Sequence, residues 1–145
     1  MKCKFIFKIF LLLIFSTILF SCNKYKEIFE DIKKIKITVY IWEENFIDYE
    51  NYYIEIFDIA EIKNITKFIS NVSSPSYKCG YNGKIDFYCK DNNVLFDAEF
   101  NIGCDTIVFI YDNKVYHKRI SNDGIIYFEN IIKNIEERYN KKNMK

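Results

Sequence analysis

From Ile35 onward, two periods organise the hydrophobic positions: an alternation of two and a helical repeat of three to four. Ile35 to Trp42 alternates, with Ile35, Ile37, Val39 and Ile41 on one side and Lys36, Thr38, Tyr40 and Trp42 on the other. That is the signature of a half-buried strand. Tyr52 to Phe57 reads as a second strand, antiparallel to the first. Asp58 with Glu61 three residues on forms a capping-box-like start. Ile62, Ile65, Ile69 and Val72 then fall at helical spacing, which predicts a helix over Ile59 to Asn71. Ser73-Ser74-Pro75-Ser76 ends it, because Pro cannot continue the hydrogen-bond ladder.

The next segment defines a hairpin with a register. Ile85, Phe87 and Cys89 alternate on one strand; Val94, Phe96, Ala98 and Phe100 alternate on the other. Asp91-Asn92 suits a two-residue turn, since both residues tolerate positive φ. That turn sets Cys89 opposite Val94, Phe87 opposite Phe96 and Ile85 opposite Ala98. All apolar pairs then meet on one face, which is what fixes a register. Paired residue numbers add to 183, and so do those of Cys79 and Cys104, which therefore face each other across the open end.

Ile107 to Tyr111 and Lys114 to Arg119 predict another hairpin around Asp112-Asn113. Ser121-Asn122-Asp123-Gly124 reads as a loop with capping residues. A final helix runs from Ile125 to about Lys141, with Ile125, Phe128, Ile132, Ile135 and Tyr139 on its apolar face. The order is β-β-α-β-β-β-β-α. It predicts an α+β fold in which two amphipathic helices cover one face of a mainly antiparallel sheet of about six strands.

The first 22 residues follow a different pattern. Lys2, Lys4 and Lys8 give a basic start, and the segment up to Phe20 is dominated by Phe, Ile and Leu, interrupted by Lys8 and Ser16-Thr17. Its apolar core is shorter than the roughly 20 residues that span a bilayer, the arrangement of an export signal. Leu19-Phe20-Ser21-Cys22 resembles the lipobox of bacterial lipoproteins, in a relaxed form because Phe20 stands where a smaller residue is usual. The resemblance covers only Met1 to Cys22. It implies that the Cys22 thiol is diacylglycerylated, that cleavage makes Cys22 the first residue, and that the domain sits in the cell envelope on a lipid anchor. Each acyl methylene buried in the membrane adds about 0.8 kcal/mol. The chain then divides into a signal peptide at 1–21, a lipidated Cys and tether at 22–34, and a single domain at 35–145. An exported domain with Cys79, Cys89 and Cys104 is expected to hold one disulfide and one free thiol. The register selects Cys79–Cys104, with Cys89 a small buried apolar residue.

Removing Lys2, Lys4 and Lys8 turns 21 basic and 20 acidic residues into 18 and 20, a net charge of −2. That argues against a nucleic-acid partner, which calls for a basic stripe. The richness in Tyr and Phe follows the A/T-rich codons that also favour Ile, Lys and Asn. The acidic stretch Glu43 to Asn51 lacks the spaced ligands of a calcium loop. His117 is the only histidine, too few for a zinc site. Pairing it with Cys89 as a nucleophile and base requires hydrogen-bond reach, whereas Cys89 is predicted to face the core. No catalytic residue, cofactor or metal is expected. The leading expectation is a tethered binding domain with an envelope protein as partner, of which an inhibitor or immunity-type protein is one version. A permanently bound assembly accessory is a second expectation, and a small hydrolase is the alternative from a different class. The aromatics of two regions predicted to be exposed, Phe46 and Tyr49 in one and Tyr81 with Asn82 in the other, are the candidate partner contacts.

Overall fold

The computed structural model describes residues 29–43, 46–47, 52–75 and 79–143. The chain divides into Met1–Asp31 and Ile32–Lys145. In the first unit, the described residues are a helical pair at 29–30 followed by a turn at Asp31. The second unit begins before the predicted boundary: Ile32 is 2% exposed, and the Lys33 N–H donates to the Tyr88 carbonyl.

The second unit is a seven-stranded antiparallel sheet with two helices. Strands β1 (Lys34–Val39), β4 (Tyr53–Ile56), β5 (Ile69–Ser73), β6 (Gly83–Tyr88), β7 (Val94–Asn101), β8 (Thr106–Tyr111) and β9 (Lys114–Ile120) lie in the order β4-β1-β6-β7-β8-β9-β5. β2 (Trp42–Glu43) and β3 (Phe46–Ile47) form a separate two-stranded ladder. The helices are α1 (Ile59–Phe68) and α2 (Asn122–Asn143). This is the α+β class that the periodicity predicts, with one more strand in the main sheet.

The additional strand is β5. Its residues were expected to continue the helix, yet α1 stops at Phe68 and Ile69 pairs with Ile120 of β9. Val72, expected on the helical apolar face, is 60% exposed. Two forces favour the change. Ile69-Ser70-Asn71-Val72-Ser73 is rich in β-branched and short polar residues, which are poor helix formers. β9 also has an edge whose backbone groups require partners. The irregular register between Ile69 and Ser73 shortens the regular edge that the sheet presents to other chains.

The alternating residues sort as expected on the central strands. Ile35, Ile37, Val39, Ile85, Phe87, Phe96, Ala98, Phe100, Ile107 and Phe109 are buried on one face. Phe128 of α2 stacks on Phe100 with ring centroids 4.8 Å apart, and Tyr139 meets Tyr52 edge-on at 4.8 Å. α2 therefore crosses this face from the β9 side to the β4 side. α1 packs on α2 through Phe68, Tyr127 and Phe128, placing both helices on the same side. Tyr127 also donates a 2.7 Å hydrogen bond to Glu61 of α1. Burial, with the Glu61 carboxylate adding to it, pushes the Tyr127 hydroxyl well above the ordinary phenol range. Each fully buried Phe or Ile contributes about 1.5–3 kcal/mol by leaving water.

Two glycines permit close approaches. A Cβ on Gly83 collides with the Thr38 carbonyl oxygen, and one on Gly124 meets the Phe68 Cβ at 2.6 Å. α2 begins at Asn122, before the expected Ile125. The Ser121 hydroxyl accepts from the Gly124 N–H and the Ser121 carbonyl from the Ile125 N–H, so the capping residues belong to the helix start. Of the expected apolar face, Phe128 and Ile135 are buried; Ile131 is buried as well.

The two hairpin turns differ. Asp112 and Asn113 form the expected two-residue turn, with φ of 52° and 57°. The β6–β7 pairing holds from Gly83–Phe100 through Phe87–Phe96, then slips so that Tyr88 faces Val94. The Asn92 N–H donates to the Cys89 carbonyl and the Cys89 N–H to the Asn93 carbonyl, with Asn92 at φ 57°. This is a longer, bulged turn in place of the expected Asp91-Asn92 pair. Cys89 is displaced from the core face and is a half-exposed free thiol, and Val94 is 51% exposed.

Candidate functional site

Helices cover one face of the sheet; its other face carries the outward member of each alternating pair. This second face divides into two halves. On β4, β1, β6 and β7 the outward charged and phenolic groups are partnered, while Leu95 of β7 is 38% exposed. Lys34 pairs with Glu55 at 3.3 Å and lies 4.1 Å from the Tyr88 ring centroid. Lys36 sits 4.2 Å from the Tyr53 ring centroid. Lys84 reaches Asp86 at 2.9 Å and Asp97 at 3.5 Å, and Tyr40 donates to Glu99. Burial lowers the Lys84 ammonium, but Asp86 and Asp97 outweigh it and hold its pKa above the ordinary lysine value. The phenol of Tyr88 is raised by burial and by the Asp86 charge.

β8 and β9 form the other half. Their outward rungs are Thr106–Arg119, Val108–His117 and Ile110–Val115. Ile110 is 62% exposed and Val115 58%. Arg119 is exposed, and no acidic partner approaches it within salt-bridge distance among the described residues. Lys118 points to the helix-covered face, where its Nζ donates to the Asn71 carbonyl.

An open groove of about 300 Å³ lies at the Arg119 end, lined by Ser74, Gly103, Cys104, Asp105 and Arg119. Its position follows from local structure. The Ser74 N–H donates to the His117 carbonyl, which extends the β5 pairing into the groove. Asp105 adopts φ 51°, and its carbonyl accepts from the Ile120 N–H. Cys104 is bonded to Cys79 as the register predicts, fastening the β7–β8 turn to the chain entering β6. Two asparagines reinforce this clamp. The Asn82 side chain accepts from the Ile102 N–H, and Asn101 accepts from the Cys104 N–H while donating to the Gly80 carbonyl.

The residues singled out from sequence therefore separate. Cys79 and Cys104 border the groove. Asn82 is half-buried with its side chain accepting from the Ile102 N–H, Tyr81 beside it is half-buried, and Gly83 is buried within β6. Phe46 lies in β3; Cys22 and Tyr49 lie outside the described residues. Cys89 and His117 are not brought together: β6 and β9 are three strand spacings apart, about 14 Å. Arg119, Ile110 and Val115 were not singled out. The available signal was an outward Ile–Val rung in a strand pair whose inward positions were already filled by aromatics.

Among the described residues no His, Cys, Asp or Glu cluster could hold a metal ion, and no helix is long and apolar enough to cross a membrane. The chain matches no protein-family model, curated protein or solved structure in these comparisons.

Proposed function

We propose that this chain is a membrane-tethered lipoprotein of the bacterial cell envelope whose domain binds another envelope protein without catalysing a reaction. The Cys79–Cys104 disulfide is the observation that carries the reading, because disulfides persist in oxidising compartments outside the cytoplasm. The basic start, short apolar core and lipobox ending at Cys22 support export and lipidation on independent grounds. The exposed Ile110–Val115 rung supports the binding role, since partner surfaces expose apolar groups that a free fold leaves in water. An inhibitor or immunity-type protein that blocks another exported protein is one form of this role.

Intact mass and membrane fractionation of the full chain beside a Cys22→Ala variant test the tether. The wild type should be cleaved before Cys22, gain a diacylglyceryl mass and pellet with membranes, and the variant should remain uncleaved and lack that mass. Equal masses and equal fractions for the two proteins overturn the lipoprotein reading.

A further inference from the structure

We infer that the β8–β9 half of the open sheet face, with the groove at its end, receives the extended C-terminal segment of a partner polypeptide. The terminal carboxylate would pair with Arg119, and an apolar side chain would lie across Ile110 and Val115. The inference deepens the binding role proposed above and does not depend on the lipid tether.

Three features specify this occupant. The first is charge. The six outward side chains of β8 and β9 include Arg119 and His117 and no acid, in contrast to the charge-partnered half beside them. An exposed guanidinium presents a planar fork that matches a carboxylate in a two-point contact. The second is the mixed sign of the groove, where Asp105 stands beside Arg119 among the lining residues. An isolated anion meets repulsion from Asp105. The last residue of a polypeptide brings a carboxylate and a neighbouring amide N–H together, one for each charge. The third is spacing. Thr106 and Ile110 are four residues apart on β8, which is about 13 Å along a strand. An extended ligand with its carboxylate at Arg119 therefore places its fifth residue from the end over the Ile110–Val115 rung. The disulfide holds the β7–β8 turn that forms one wall, so the site is fixed before a ligand arrives.

The test is a titration of the isotope-labelled full chain in detergent micelles, followed by amide and methyl NMR. The probe is an acetylated pentapeptide with isoleucine first, three polar residues and a small last residue bearing a free carboxylate. Saturable shifts should appear at Gly103, Asp105, Arg119, Ile110 and Val115. Amidating the peptide terminus should weaken binding about tenfold or more, and Arg119→Gln should do the same with retained spectral dispersion. Ile110→Ser with Val115→Ser should weaken it about tenfold through lost apolar contact. Equal binding of the acid and amide peptides overturns the inference, as does the absence of saturable shifts. Shifts on β8–β9 that depend on protein concentration alone assign the face to a second copy and overturn it too. A failed titration of a chain that is still acylated and membrane-bound removes this site and leaves the tether in place.

Discussion

Two neighbouring halves of one sheet face solve the same problem differently. On β4, β1, β6 and β7, the outward lysines, carboxylates and tyrosines neutralise one another. On β8 and β9, the outward rungs end in an exposed Ile–Val pair and an exposed arginine. Both halves share one hydrophobic core on the opposite face, so folding alone does not require the difference. A surface whose charges are already partnered has little to gain from contact, whereas one with an exposed Ile–Val rung and a guanidinium in no salt bridge among the described residues gains both burial and pairing.

Substitutions on the two faces of the sheet give the largest contrast. Phe100→Ala removes a fully buried ring stacked on Phe128 and should cost about 3–5 kcal/mol in denaturant unfolding. Ile110→Ser on the open face should change stability by no more than about 0.5 kcal/mol. A large loss at Ile110 means that the rung is covered in the free protein and ends the contrast.

Replacing Cys79 and Cys104 together with Ser should cost roughly 3 kcal/mol by the chain-entropy estimate for a 25-residue separation. Hydrogen exchange should rise first in the β7–β8 turn beside the groove, with the Lys84 network less affected. Uniform loss across both halves shows that the disulfide braces the whole sheet equally.

Smaller effects separate the two halves by charge. Lys84→Ala removes the cation between Asp86 and Asp97 and should cost about 0.5 kcal/mol, reduced by salt because the site is partly exposed. Arg119→Gln should cost less. The raised Lys84 pKa means that its contribution is intact below the unfolded lysine value of about 10.4 and fades as pH rises through the folded value. Tyr127, also raised, loses stability in the same direction above about 10, because the unfolded phenol ionises first. Measuring Lys84→Ala in a Tyr127→Phe background should therefore show a flatter alkaline decline than Tyr127→Phe alone. Identical curves remove the linkage at Lys84.

Local pattern carried much of the fold. The β6–β7 register was readable because Ile85, Phe87, Phe96 and Ala98 meet on one face, and that register led to the Cys79–Cys104 bond. Asp112-Asn113 was readable because its residues tolerate the positive φ that the tight turn requires. Tertiary demands hid the rest. α1 carries the chain from one edge strand, β4, to the other, β5, so sequence neighbours do not give the strand order. β5 exists partly because β9 has an edge to fill, a fact absent from Ile69–Ser73 themselves. The bulge at Tyr88 moved Cys89 off the core face although its alternation is unbroken. The candidate site was least legible. Ile110 and Val115 read like any apolar strand residues, and their exposure depends on the helices lying across the other face. Asn82 looked like a loop residue, yet its side chain accepts from the Ile102 N–H.

Site-specific photo-crosslinking in intact cells tests the central contrast most directly. A photoreactive residue is placed at Ile110 in one full-length chain and at Tyr53, on the partnered half, in another. A discrete protein adduct should form from position 110, be lost on Arg119→Glu, and be weak or missing from position 53. Adducts of equal yield from both positions, or none from position 110, contradict this contrast.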